Sequence, residues 1–442
     1  MKWAASGKTL TAIAIMGAAY QMGRIKKALV LAPSSVCPVW PKELAEYADF
    51  DFTAAPLIGT KKKRLDALET LKKGSGLLVA VINYEGLWRD GIFEALISWC
   101  PDFVVCDESQ RIKDHKAMQS KAVWDIGKLA KYRLILSGTP VQNQAVDLFG
   151  QYRFLDSSIF GQNFYVFRNR YFRMGGFNRK QIIGLIPERK DELVKKAHSI
   201  AYRVTKAEAL DLPEQTFITR SIPMEGEARK LYNQLRDESY AELEGGGDVT
   251  AATVLVRLLR LQQLAGGFLR PDEGGEASKV WDGKLDALSD IVEDYVVGEG
   301  KKLVVFCRFR AELSGITELL DKRKLSYVSL SGETKMADRG ELVKQFQEDP
   351  KVRVFLAQID TAGLGITLTA ADTCVYYSLT YNYASYSQSL SRIHRIGQEN
   401  RCTYIHLIAE KTVDEQIMKA LSKKEDLAKS IVDDWRRYFE KS

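Results

Sequence analysis

Short, nearly unbroken apolar runs punctuate the first third of the chain, and segments of helical spacing separate them. The runs are KALVLAP, GLLVAVINY, DFVVCDE and YRLILSG, each bounded by Pro, Gly or acidic residues. Between them, SVCPVWPKELAEYA and KKKRLDALETLKK set their apolar residues at helical intervals. Runs of this kind suit buried strands, and their alternation with helices argues for a parallel, doubly wound sheet. The pattern returns from residue 281, where KKLVVFCRF, LSYVSLSG, VRVFLAQI, DTCVYYS and CTYIHLIA are strand-like and RGELVKQFQ is helical. The expected fold is therefore α/β, with doubly wound units over 1–155 and 281–442. Residues 156–280 read as a mostly helical insertion and linker, from EARKLYNQLRDESYAEL and AATVLVRLLRLQQLAGGFL. Its breaks, EGGGD and PDEGGEAS, read as flexible connections.

At 442 residues the chain can hold two or three sizeable cores. Its hydrophobic share of 45% and charged share of 27% are those of an ordinary folded protein. No apolar run reaches the roughly 18 residues of a membrane span, and the start lacks the long apolar stretch of a secretory signal. Six cysteines stand singly, with no CxxC pair, so they are expected as reduced core residues and a structural zinc is not. A net charge of +7 permits a polyanionic partner without demanding one.

Three stretches carry chemistry. AASGKTLTAIA sets Ser6, Gly7, Lys8 and Thr9 at the start of an amphipathic helix. A glycine there lets backbone N–H groups approach a phosphate, Lys8 reaches toward the β- and γ-phosphates, and the Thr9 hydroxyl suits Mg²⁺. The full loop pattern wants a glycine six positions before the lysine, where Lys2 stands, and a chance helix start is the plain alternative. In CDESQRIKD, Asp107 and Glu108 follow an apolar run directly. Alone they are a charged strand end; beside a phosphate loop, Asp107 can hold Mg²⁺ and Glu108 can orient and deprotonate water. SQSLSRIHRIGQ places Arg392 and Arg395 three apart on a predicted helix, hence on one face. Paired arginines suit the charge of a transferring phosphoryl group, although a solvated basic face has the same spacing.

Taken together, these stretches resemble the Swi/Snf-type DNA translocases, a branch of the superfamily-two helicases. SGKT and LVLAPSSVCPVWPKEL, with Trp40 and Glu43, match the first motifs; INYEGL, DESQRIKD and LSGTPVQN follow in the family's order. YRVTKAEALDLPEQ, VVFCRF, SLSGET, TAGLGITLTAAD and QSLSRIHRIGQ complete the set, so the resemblance runs from residue 6 to 420. LSGTPVQN, AGLGITLTAAD and RIHRIGQ are the specific members; SGKT and DES are not.

The resemblance implies two RecA-like lobes with ATP and Mg²⁺ in the cleft between them, the helical insertion matching the family's protrusions. Lobe 1 is then expected to supply Ser6, Gly7, Lys8, Thr9, Asp107 and Glu108, with Thr9 and Asp107 on the metal. From lobe 2, Gly365 and Gln388 are expected at the nucleotide and Arg392 and Arg395 at the transferring phosphate. Ser137 and Thr139 are expected to couple the nucleotide to double-stranded DNA, gripped by its phosphates through APSSV, NYE, SGET and TAGLG. A monomer in a bacterial or phage-infected cytoplasm is the expectation, with no membrane and no signature of a recruiting protein. Three substitutions depart from the family pattern: Ala5 for glycine, Ser109-Gln110 for Ala or Gly then His, and Tyr381-Asn382 for Trp-Asn. The family's adenine-reading glutamine segment has no counterpart in the chain, and a truncated start is expected. A strand-separating helicase and a non-hydrolysing nucleic-acid-binding module are the alternatives. The full set of Lys8, Thr9, Asp107, Glu108, Arg392 and Arg395 weighs against the second. The aromatics of YYSLTYNYASY are expected mostly as core packing, and KKKR (Lys61 to Arg64) as a solvated helix face.

Overall fold

The computed structural model of the chain describes residues 7–176, 181–204, 208, 211–244, 251–270, 275, 277–364 and 366–428. It divides into two compact units, residues 1–209 with 424–442 and residues 210–423.

Unit 1 is built on a five-stranded sheet of β1 (Lys27–Ala32), β2 (Phe52–Pro56), β3 (Leu77–Asn83), β4 (Phe103–Asp107) and β5 (Tyr132–Leu136). The order is β2-β3-β1-β4-β5 and every pairing is parallel. Successive residues of one strand enter different cores. Leu29, Leu31, Ile82, Val104 and Cys106 pack with the helices Lys61–Lys72, Ile92–Trp99 and Met118–Leu129. Ala28, Val30, Val79, Val81 and Val105 pack with the helices Lys8–Gln21 and Trp40–Tyr47. Both faces are thus covered, which is why the strands read as unbroken apolar runs. β2 escapes that reading because its five residues FTAAP are only half-buried at the sheet's edge.

Unit 2 carries a six-stranded sheet. Its strands are β8 (Gln215–Ile222), β11 (Leu303–Cys307), β12 (Ser326–Leu330), β13 (Val352–Gln358), β14 (Thr373–Tyr376) and β15 (Cys402–Ala409). The order is β12-β13-β11-β14-β15-β8, again parallel throughout. One face buries Leu303, Val305, Val354, Leu356 and Val375 against the helices Gly283–Ile291 and Arg310–Lys322.

The segment 156–280, expected as mostly helical, also holds strands. β6 (Phe172–Gly175) and β7 (Gln181–Leu185) form an antiparallel pair in unit 1, β8 joins the large sheet of unit 2, and β9 (Phe268–Leu269) pairs with β10 (Ser278–Lys279). β8 defeats the sequence reading because its residues QTFITRSI are largely exposed at an edge, with no apolar run to mark them. KKKR needs a correction as well. Arg64 is buried, its guanidinium donating to Asn83 Oδ1 at 2.9 Å and to the Gly59 carbonyl at 3.0 Å, whereas Lys61, Lys62 and Lys63 are exposed. The aromatics behave as core, with Tyr376, Tyr377, Tyr383 and Tyr386 all buried. Five cysteines are buried and Cys100 is exposed, and no disulfide forms among the described residues.

Candidate active site

In an open parallel sheet, ligands bind outside the carboxyl ends of the strands, where the strand order reverses. In unit 1 that point lies between β1 and β4. Asp107 ends β4 and pairs in register with Leu136 of β5, so Glu108 and Ser137 leave the sheet side by side. Trp40, opening the helix after β1, donates its indole N–H to Asp107 Oδ2 at 3.2 Å. Tyr84 donates to the Asp107 carbonyl at 2.7 Å. The acid is buried, and that burial, reinforced by Glu108 alongside, pushes its carboxyl up to about 6 against the pull of Lys8 and the Trp40 N–H.

Glu108 turns the chain out of the strand with φ of 53°, left-handed backbone that a non-glycine residue seldom adopts. Its carboxylate meets both Lys8 and Gln110. Lys8 Nζ lies 3.4 Å from Oε1, and the Gln110 amide donates to Oε2 at 2.6 Å. Gly7 caps the helix Lys8–Gln21 with φ of 65°. A Cβ there would meet nothing within 4 Å, so backbone angle and not space calls for the glycine. Thr9 sits half-buried in the first helical turn. The Lys8 ammonium also borders the loop after β5, since a Cβ on Gly138 would stand 3.3 Å from it.

Ser137 joins this arrangement through Gln110, donating to Gln110 Oε1 at 2.7 Å and accepting the Thr139 N–H at 3.1 Å. The Thr139 hydroxyl is buried and has no hydrogen-bond partner among the described residues. Ser109 donates to Gln151 Oε1 at 2.8 Å, and the Gln151 amide donates to the Pro140 carbonyl at 2.7 Å. The two strand ends are therefore tied together twice. Lys8, Thr9, Asp107, Glu108, Ser137 and Thr139 are all grouped in this unit; Ser6 lies outside the described residues. Gln110 was visible in the sequence only as a departure from the family's pattern. Its two-sided contact depends on strand register, which the sequence does not display.

Unit 2 holds the arginines, and their setting corrects the sequence reading. The helix Tyr383–Leu390 stops before them, and Arg392 and Arg395 lie in successive turns that follow. The break has a visible cause. Gly397 takes φ of 92°, and the Gln398 amide donates to the carbonyls of Ala371 (2.8 Å), Ile393 (3.2 Å) and Thr369 (3.3 Å), holding the turns against the loop before β14. His394 Nε2 bonds the Pro213 carbonyl at 2.8 Å. The two arginines still meet, because Arg395 Nη1 donates to the Ile366 carbonyl at 3.1 Å and Arg392 Nη1 approaches it at 3.5 Å. Gln388 is half-buried on the helix Tyr383–Leu390, and Gly365 lies outside the described residues.

Comparison with known proteins bears on both units. Residues 4–266 match the model of the SNF2-related domain, and residues 283–397 match that of the helicase conserved C-terminal domain. An uncharacterized ATP-dependent helicase of Mycoplasma genitalium is 24% identical over 97% of this chain and 40% of its own length. The chromodomain-helicase-DNA-binding protein 1-like of Mus musculus is 26% identical over 97% of this chain and 47% of its own length. The chain thus spans less than half the length of these two relatives. Among solved structures, the Sulfolobus solfataricus SWI2/SNF2 ATPase core in complex with dsDNA is 26% identical, covering 100% of this chain and 90% of that one at a TM-score of 0.42.

Proposed function

The chain belongs to the SNF2-related domain family, and from that premise we propose that it hydrolyses ATP and uses the hydrolysis to move along double-stranded DNA. The observation that carries this reading is the grouping of Lys8, Asp107 and Glu108 at one strand end, with Lys8 Nζ 3.4 Å from Glu108 Oε1. A phosphate-binding lysine, a buried carboxyl and a partly exposed carboxylate are the parts that phosphoryl transfer to water needs.

Each residue receives a role. The N–H groups opening the helix Lys8–Gln21, exposed by the left-handed Gly7, bind the phosphates, and Lys8 leaves Glu108 to neutralise them. Thr9 and Asp107 would hold Mg²⁺. They fit it, being oxygen donors with a single carboxylate, as suits an ion that takes its remaining ligands from phosphate and water. When bound, the ion neutralises charge on the β- and γ-phosphate oxygens. Glu108, freed from Lys8, takes a proton from the attacking water as that oxygen bonds to the γ-phosphorus and the bond to ADP breaks. Arg392 and Arg395, together with Gly365 and Gln388, are proposed as the contribution of unit 2. The Ile366 carbonyl parks both guanidinium groups until a stronger acceptor competes for them. Ser137 and Thr139 are proposed to relay the state of the nucleotide, because Ser137 already feels Glu108 through Gln110.

The test is steady-state ATPase activity of the purified chain with and without duplex DNA, beside Glu108→Gln and Lys8→Ala. Glu108→Gln should lose turnover while still binding ATP, and Lys8→Ala should bind ATP more weakly. Unchanged turnover in Glu108→Gln would mean that Glu108 is not the general base.

A further inference from the structure

Unit 1 has a cavity away from the phosphate-binding residues, of about 460 Å³, between the loop at His115 and Lys116, the helix Phe164–Tyr171 and β7. Its wall is aromatic. The His115 ring stacks on Phe164 with centroids 3.5 Å apart and planes 12° from parallel, and Tyr165 stands edge-on to His115 at 6.2 Å. Phe164 is backed in turn by Phe149 of the core at 5.4 Å, so the stack is anchored. Tyr165 is 53% exposed, a large ring left open at the rim.

The rim is cationic. The Arg168 guanidinium lies over the Tyr165 ring at 5.1 Å, and its hydrogen bonds among the described residues go to the neutral amide of Asn169. Lys116 is exposed and, like Arg168, has no ion pair among the described residues. No aspartate or glutamate is among the lining residues; Asp114, which accepts the Lys116 backbone N–H at 2.8 Å, lies 4.0 Å from His115 Nδ1. His115 Nε2 is buried and has no hydrogen-bond partner among the described residues. Burial, then the cations Lys116, Arg153 and Arg168, keep this imidazole less basic than usual despite Asp114. Gln144 adds an amide to the lining.

A flat aromatic wall beside two cations that make no ion pair among the described residues fits a molecule that joins a planar heterocycle to a single negative charge. We propose that this cavity is a nucleic-acid site separate from the duplex track, taking one unpaired nucleotide. Its base lies against Tyr165 and the His115–Phe164 stack, and its phosphodiester lies on Lys116 and Arg168. Every base offers a π-face to such a wall, so binding is indifferent to sequence, while the cations make it sensitive to salt. An acidic peptide would use the cations but leave the ring faces idle, which is why a nucleotide is the better match.

The experiment uses the full chain and a short oligothymidylate labelled with fluorescein, followed by anisotropy. Tyr165→Ala should weaken binding roughly tenfold or more, as loss of one stacked base does. Tyr165→Phe should restore it, and Arg168→Gln should weaken it and flatten its salt dependence. Because Tyr165 is half in solvent, these variants should keep wild-type thermal midpoints and wild-type duplex-stimulated ATPase, which separates this site from the proposed motor. An oligonucleotide carrying 2-aminopurine should lose fluorescence on binding the wild type but not Tyr165→Ala. The inference fails if oligothymidylate does not bind, or binds equally to wild type and Tyr165→Ala. It also fails if a poly-glutamate peptide, and not the oligonucleotide, is the ligand whose binding depends on Arg168.

Discussion

Gln110 bridges the two strand ends of unit 1. It fixes Glu108 with its amide N–H and receives the Ser137 hydroxyl on its carbonyl oxygen. Adjacent acids after an apolar run were legible in the sequence, because the run and the acids are local. The bridge was not, since it joins residues brought together only by the pairing of β4 with β5. If Glu108 is the general base, Gln110→Ala should lower kcat by up to about 10²-fold, the scale of a misplaced catalytic group, with the KM for ATP little changed. Gln110→His, which can also donate and accept, should recover much of the loss, and a stopped assay over a range of ATP separates the two constants. His406 yields a prediction of another kind. It is buried against Tyr376, ring centroids 4.9 Å apart and nearly parallel, and burial lowers its imidazole to about 4. Between its ordinary value near 6.5 and that lowered one, the unfolded chain binds the proton and the folded chain does not. Stability is therefore complete above about pH 6.5 and falls as pH drops toward 4, by about 3 kcal/mol across that window from this residue alone. Thermal midpoints of the wild type and His406→Gln at pH 7 and pH 5 check it: the wild type should lose more on acidification than the variant.

At the scale of elements, strands that carry an apolar run could be read, the half-buried β5 and β12 among them, and strands without one could not. β1, β3, β4, β11, β13 and β15 are apolar on both faces and announce themselves; β2, β6, β7 and β8 are half-buried or exposed and carry no such mark. The arginine turns were misread for a related reason. Three-residue spacing fits a helix, yet Gly397 and the carbonyl contacts of Gln398 decide for turns. Arg395→Ala should then cut hydrolysis on the order of 10³-fold if it stabilises the transferring phosphate, while ATP affinity, which would rest on unit 1, changes little. Comparing single-turnover rates with nucleotide titration distinguishes this from a surface charge, whose removal both assays would ignore. A second element-scale prediction concerns the helix Gly283–Ile291. Its Lys284, fully buried, lies 2.6 Å from Asp414 and donates to the Tyr377 carbonyl at 3.0 Å. Asp414 in turn accepts the Ala409 N–H at the end of β15 at 3.1 Å. Removing one member strands the other charge, so Lys284→Ala should destabilise unit 2 by about 3–5 kcal/mol. Lys284→Ala combined with Asp414→Ala should cost less than the sum of the two single changes. Denaturant midpoints of the three variants measure that coupling.

At the scale of the whole chain, the sequence displayed two α/β patterns because each sheet is parallel and its central strands are buried. It did not display where the pieces of 156–280 would go. The hairpin of β6 and β7 belongs to unit 1 and the edge strand β8 to unit 2, choices made by tertiary packing and not by local spacing. Nor does the chain as a whole carry a strong electrostatic signature, since a net charge of +7 is spread over 442 residues. If the chain binds DNA as proposed, that affinity must come from local contacts. If those are backbone amides, hydroxyls and a few cations set on phosphates, they carry no base information, and duplexes of different sequence should stimulate ATP hydrolysis alike. Each phosphate neutralised by a cation releases bound counterions, so log affinity should fall with log salt by roughly 0.9 per such contact. The slope counts the contacts, and a shallow slope with tight binding would contradict phosphate tracking through cations. Movement along an intact duplex also differs from strand separation in what it displaces. The chain should strip a third strand from a triplex while leaving a forked duplex paired, with ATP required and Glu108→Gln inert. Efficient fork unwinding with the triplex untouched would instead assign the same ATP chemistry to a strand-separating motor.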